Sequence, residues 1–277
     1  MSPSTAASWT STNGWLAAHP RVAAASLKLK AIDRRRQIGA IGYLLLFVVS
    51  PLFGLAMAAL IYAPTRPDLV SYVVVGMAAQ TLISSAIYNV GEILDRERMA
   101  GTLVPLFLAP CARGSWLLGF AAGAVFEAGL VSTGLLLLGH FGFGVQFDPD
   151  WPALALTLGL FVAALGGMGF VFSAIGLALK KANPFSNLVS PFLMLLGGAF
   201  FPVSQLPDWL RYPARLLPLG YATQALASAA LDHKGVPDLL PELLPLAGFA
   251  LLLPIAGVLA FRWIERLIRR RGELDIY

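Results

Sequence analysis

Six stretches of this 277-residue chain run for a membrane's width with almost no charge, and that repetition leaves few folds open. Ile38–Ala63, Leu69–Val90, Pro152–Leu179, Ala182–Pro202 and Leu243–Phe261 contain no charged residue, and Ser115–Gly139 is interrupted only by Glu127. A spanning helix needs about 20 mostly apolar residues. Lipid offers no partner to an unpaired peptide group, so only helices and closed barrels cross it, and barrel strands alternate in polarity. These runs do not alternate. Charged residues make up 13% of the chain against about 25% in a soluble domain, too few for an ordinary water-facing surface. The expected fold is an all-α membrane protein with six transmembrane helices.

Orientation follows from the loops, because Lys and Arg collect on the cytoplasmic side. Sixteen of the 20 lie before span 1, in the 2–3 and 4–5 loops or after span 6; Arg66, Arg211, Arg215 and Lys234 lie on the other side. Both termini are therefore expected in the cytoplasm. Residues 1–37 read as a cytoplasmic N-terminus in which Val22, Ala25, Leu29 and Ile32 recur at helical spacing, suiting an interfacial helix. Residues 38–262 form the six-span domain, and 263–277 a basic cytoplasmic tail. The run Leu216–Leu231 is apolar but short for a span. It is expected to form an external re-entrant hairpin between spans 5 and 6.

The chemistry that is missing narrows the function. There is no G-x-x-x-x-G-K-[ST] phosphate loop, no nucleophile with a supporting signature, and no Gly-rich dinucleotide turn. The lone Cys111 and the scattered His19, His140 and His233 offer no metal-ligand spacing. Glu127 is the only ionisable group inside a span, which suits neither an intramembrane enzyme nor a proton-driven carrier with several buried acids. No cofactor bound by this chain and no nucleic-acid partner is expected.

One segment breaks the apolar pattern. In "GEILDRERMAGTLVPLFLAP", Gly91 to Pro110, five ionisable residues fall between Glu92 and Arg98. Glu92 and Arg96 are four apart with the acid first, the favourable order on a helix. Thr102 is a suitable N-cap after Gly101, and Pro105 then falls in the first turn of a new helix, where its missing N–H costs little. Leu103, Leu106, Phe107 and Pro110 give that short helix an apolar face toward the cytoplasm. Either it rests on the membrane surface or a partner covers it.

This segment resembles the E…RE…GTLE…L…P motif of the ABC-2 type permeases, the membrane subunits of a class of ATP-binding cassette exporters. "GGAFFPVSQLPDWLRYPARLLPLGYATQAL", Gly197 to Leu226, is similar to the family's segment joining spans 5 and 6. The likeness covers roughly residues 20 to 265, with one departure: Val104 and Pro105 replace the usual Glu and its neighbour. The resemblance implies a coupling helix after Gly101, seated on a separately encoded cytoplasmic ATPase. Glu92, Arg96, Glu97, Gly101, Thr102, Leu103, Leu106 and Phe107 are its candidate coupling residues. ATP and Mg would then be bound by the partner chain.

The resemblance further implies two permeases, as a homodimer or with a similar subunit, around a pathway lined by spans 2 and 5. Phe200, Phe201 and Pro202 would help form an external gate. The residues themselves carry a matching pattern. Thr81, Ser84, Ser85 and Tyr88 share a stripe on span 2, as do Asn187, Ser190, Met194 and Phe201 on span 5. Intramembrane polar groups face a cavity or another helix, and the stripes fit either. The expected function is export of a drug-like amphiphile, lipid or glycolipid across a bacterial plasma membrane. A self-sufficient secondary transporter or channel is the alternative.

Overall fold

The computed structural model describes residues 45, 49–64, 66–101, 113–179 and 182–271. Every regular element among them is helical: α1 (Ser50–Tyr62), α2 (Pro67–Ser84), a π-helical continuation of it (Ser85–Gly91), α3 (Ile93–Met99), α4 (Arg113–Phe143), α5 (Trp151–Leu179), α6 (Ala182–Leu196), a 3-10 turn (Val203–Gln205), α7 (Asp208–Arg215), α8 (Pro218–Leu231) and α9 (Leu240–Arg271).

Four of these helices are long and apolar enough to cross a membrane: Leu69–Gly91, Gly119–Phe143, Trp151–Gly176 and Leu240–Ile264. The other two expected spans differ. The start of the first, with the proposed interfacial helix, lies outside the described residues; α1 covers Ser50–Tyr62 of it. The fifth run, Ala182–Pro202, is helical only to Leu196. At 1.5 Å per residue a 15-residue helix reaches about 22 Å, short of a hydrocarbon core of about 30 Å. It stops where Gly197–Gly198 follows, and Gly198 takes a left-handed φ of 69° that few side chains tolerate. At the far end α9 does not stop at Arg262 but carries the basic residues on to Arg271 as helix.

The helices form layers around α2. Of the apolar window on α2 with its π-helical end, 78% is buried, against 17% for α9, so α2 is central and α9 peripheral. Phe53, Phe126, Phe141, Leu251 and Leu259 point outward from α1, α4 and α9. That surface would be costly in water and is free in hydrocarbon. The main core gathers Ile83, Ile87, Phe161, Leu165, Leu219 and Leu246 from α2, α5, α8 and α9.

Close backbone approach sets the crossings. A Cβ built on Gly167 of α5 would lie 2.2 Å from the Pro254 nitrogen of α9, so only glycine permits that contact. The short α8 is among the most enclosed elements: Leu219, Ala222, Thr223, Ala225 and Ala229 are fully buried. The loop before α5 ties down its end, with the Asp148 and Asp150 amides each donating at 3.0 Å to Ala230 and Ala229. Those are carbonyls that a helix C-terminus leaves open.

Candidate functional site

The charge cluster occupies the junction below α2. The helix leaves α-geometry at Ser85 and runs as a π-helix to Gly91, a local widening that recurs at functional positions. Arg96 reaches back from α3 and donates to the Tyr88 carbonyl. Arg98 pairs with Asp95 on the same helix. Ala100 closes α3 and Gly101, at φ 70°, turns the chain out of it, as expected of a residue just past a helix C-terminus.

Glu92 is not a surface charge. It is the N-cap of α3 and 7% exposed, packed where the π-helix meets α6. Asn183 Nδ2 donates to its Oε2 at 3.4 Å, Asn187 Nδ2 donates to Asn183 Oδ1 at 2.8 Å, and Tyr88 Oη donates to Asn187 Oδ1 at 3.1 Å. The chain closes a loop from the foot of α2, across α6, and back to α2. Glu92 Oε1 is buried and has no hydrogen-bond partner among the described residues. Burial pushes the Glu92 carboxyl above its ordinary range, the nearby Asp95 adds to that, and Ser186, Arg96 and Asn183 pull partly back. The site therefore favours a neutral carboxylic acid more than water does.

The polar stripe on α2 divides. Thr81 hydrogen-bonds Ser132 of α4. Ser85 donates at 2.9 Å to the Ala124 carbonyl of the same helix. Ser84 accepts from Gln80 at 3.5 Å within α2. Thr81 and Ser85 thus bind α2 to α4, while Tyr88 turns toward α6. On α6, Asn183, Asn187, Leu188 and Phe192 are exposed, Ser190 is half-buried, and Met194 packs against the cluster around Val73 and Leu135. Phe200 joins that cluster too. Phe201 and Pro202 are half-buried, and Pro202 precedes the 3-10 turn. Glu97 is half-buried on α3 and Glu127 half-buried on α4. Thr102, Leu103, Leu106 and Phe107 lie outside the described residues.

Three participants were not singled out from the sequence. Asn183 and Ser186 share the 183, 186, 187, 190 spacing of the α6 polar face and could have been found by extending it one turn back. Tyr72 could not. Its hydroxyl donates at 3.0 Å to the Gly198 carbonyl, 126 residues away, and no local pattern marks that contact.

With this geometry in place, comparison with known proteins settles the class. The ABC-2 type transporter family matches residues 28–231, well over half of the chain. The chain belongs to that family. It is an integral membrane protein and a transport permease, and a permease of this family works with an ABC ATPase and is not an enzyme by itself. Nodulation protein J of Sinorhizobium fredii is 26% identical over 198 residues, covering 68% of this chain and 72% of that protein. Linearmycin resistance permease protein LnrN of Bacillus subtilis is 27% identical over 173 residues, 62% of this chain and 44% of that longer protein. ABC transporter G family member 20 of Dictyostelium discoideum is 25% identical over 177 residues, 64% of this chain and 24% of its own length.

Proposed function

We propose that this permease exports an amphiphilic molecule (drug-like, lipid or glycolipid) from a bacterial cell, driven by ATP and Mg bound on a separate ATPase. In this reading both termini are cytoplasmic, six helices cross the plasma membrane, α7 and α8 form an external re-entrant hairpin, and two permeases, alike or merely similar, enclose the pathway. The observation that carries it is the polar chain from Glu92 through Asn183 and Asn187 to Tyr88. A push on the charged elbow at Glu92, Arg96 and Glu97 would reach α6 through fixed hydrogen bonds rather than through loose loop. The exposed α6 face joins amides at Asn183 and Asn187 to Leu188 and Phe192, a mixture that suits a cargo with polar and apolar parts. The resistance function in the name of the Bacillus relative supports the outward direction.

In this proposal the segment after Gly101 is the coupling helix, with Leu103, Leu106 and Phe107 seated on the ATPase. A charge at such a position would be buried in an interface core, and losing an anchor there costs at least ~2 kcal/mol of binding. Leu106→Asp should leave membrane insertion intact, reduce co-purification of the ATPase and abolish ATP-dependent uptake of cargo into inverted vesicles. Normal export with the ATPase still bound would sink the proposal.

A further inference from the structure

A cavity of about 520 Å³ opens at the end of the bundle opposite α3, between the 3-10 turn, α7, α8 and the start of α9. Its size is that of a small-ligand pocket. Val203, Tyr221 and Pro245 give it an apolar wall, and Arg215, Gln224 and Glu242 supply the polar groups. Arg211 also borders it, with both terminal nitrogens engaged and only its buried Nε lacking a partner among the described residues. Its Nη2 donates at 2.9 Å to the Ser204 and Leu206 carbonyls and its Nη1 pairs with Asp208 at 3.0 Å, which fixes the turn.

The other two charges are different. Arg215 has no acidic partner among the described residues, and Glu242 has no basic one, although both line the same cavity. Glu242 is nevertheless held in place. Gln224 Nε2 donates to its Oε1 at 3.2 Å, leaving Oε2 available, and the residue sits in the first turn of α9, where a negative charge meets the helix N-terminus. Arg215 ends α7 and is exposed. A cation and an anion that face one cavity without neutralising each other suit a ligand carrying both opposite charges.

We propose that this cavity binds a zwitterionic phosphate–ammonium headgroup, with the phosphate on Arg215, the ammonium on Glu242, and the adjoining carbons against Tyr221, Val203 and Pro245. A guanidinium fork matches phosphate geometry, and a carboxylate oriented by an amide accepts an ammonium donor. The wall is built from the first turns of α8 and α9, and because the apolar window of α9 begins at Leu240, a membrane crossed by α9 would bring lipid headgroups to the level of the site. This inference does not depend on the direction of transport.

The purified full chain in detergent would be incubated with phosphatidylethanolamine or phosphatidylglycerol and bound lipid read by native mass spectrometry. Arg215→Gln and Glu242→Gln should each lower phosphatidylethanolamine retention about tenfold, the scale of losing one charged hydrogen bond. For phosphatidylglycerol only Arg215→Gln should weaken retention, while Glu242→Gln should leave it equal or stronger. Competition by soluble phosphoethanolamine would identify a free headgroup as sufficient; no competition would identify the membrane lipid as the source. Both variants are exposed or half-buried and should unfold thermally at the wild-type temperature. Retention unchanged in both, or a loss for both lipids on Arg215→Gln alone, would overturn the assignment.

Discussion

Gly76 is the residue on which the grip between α2 and the turn after α6 depends. A Cβ built there would lie 2.1 Å from the Ala199 carbonyl oxygen and 2.9 Å from its carbon. Tyr72, one helical turn earlier, holds the same turn through Gly198. A carbon–oxygen contact relaxes at about 3.3 Å, so Gly76→Ala forces two backbones apart by roughly 1 Å. Both partners are main chain and neither can rotate away. Alanine gains about 1 kcal/mol over glycine in helix propensity, but overpacking of this kind costs about 1–3 kcal/mol and more when backbone must move. The cost wins. At roughly 2–4 °C per kcal/mol for a chain of this size, the apparent melting temperature should fall by several degrees.

The same displacement would move Phe200, Phe201 and Pro202 relative to α2, so export should fall even in the fraction that stays folded. The assay is thermal unfolding of the purified chain followed by tryptophan fluorescence, beside vesicle transport normalised to folded protein. Gly159→Ala is the control. Gly159 faces outward with nothing within 4 Å of a built Cβ, and its substitution should be neutral or slightly stabilising. A Gly76→Ala protein that melts and transports like wild type would refute the close approach.

Further outcomes can be measured. Burial raises the Glu92 pKa in the folded chain, so the folded state holds this proton more tightly than the unfolded one; its contribution is fully present below the ordinary value of 4.5 and is lost as pH rises through the folded value. Glu92→Gln should flatten that part of the stability profile, measured by thermal unfolding between pH 4 and 8, and should keep an acceptor for Asn183. Glu92→Ala removes the Asn183 acceptor and should lose about 0.5–1.5 kcal/mol, the net worth of one hydrogen bond. Asp208 is exposed at the start of α7, so Asp208→Cys in a Cys111→Ser background should react with an impermeant thiol reagent in intact cells. Labelling only after permeabilisation would reverse the proposed orientation. Gly167→Leu should abolish the α5–α9 crossing and leave little folded protein by size-exclusion chromatography, since a Cβ alone already meets the Leu253 carbonyl carbon at 2.3 Å.

Much of the site was legible in residue order, and the reason is locality. The charged elbow, the Gly101 turn and the polar spacing on α6 each depend on residues within a turn or two of one another. The Tyr72–Gly198 and Glu92–Asn183 contacts join residues 126 and 91 positions apart, and no window of sequence holds both ends. The division of the Thr81–Tyr88 stripe was also hidden. All four of its members could equally have faced a cavity, and only the position of α4 sends Thr81 and Ser85 to packing.

The sequence by itself determined that this chain is helical and lives in a membrane, that its basic residues bias one orientation, and that a charged elbow follows the second apolar run. Hydropathy and charge act residue by residue, so lipid and water sort them whatever the neighbours do. Tertiary structure decided which helix is central, where the fifth run breaks, and which polar groups meet. Helix α2 is buried on nearly every side, and its short polar stripe suits a helix partner as well as a cavity, so no face of it announces which neighbour it takes. What chooses the partner is the shape of the contact: Gly76 against Ala199, Gly139 against Val74, Gly167 against Pro254. Such fits depend on backbone separations of an ångström or less, and those exist only once the helices are packed together.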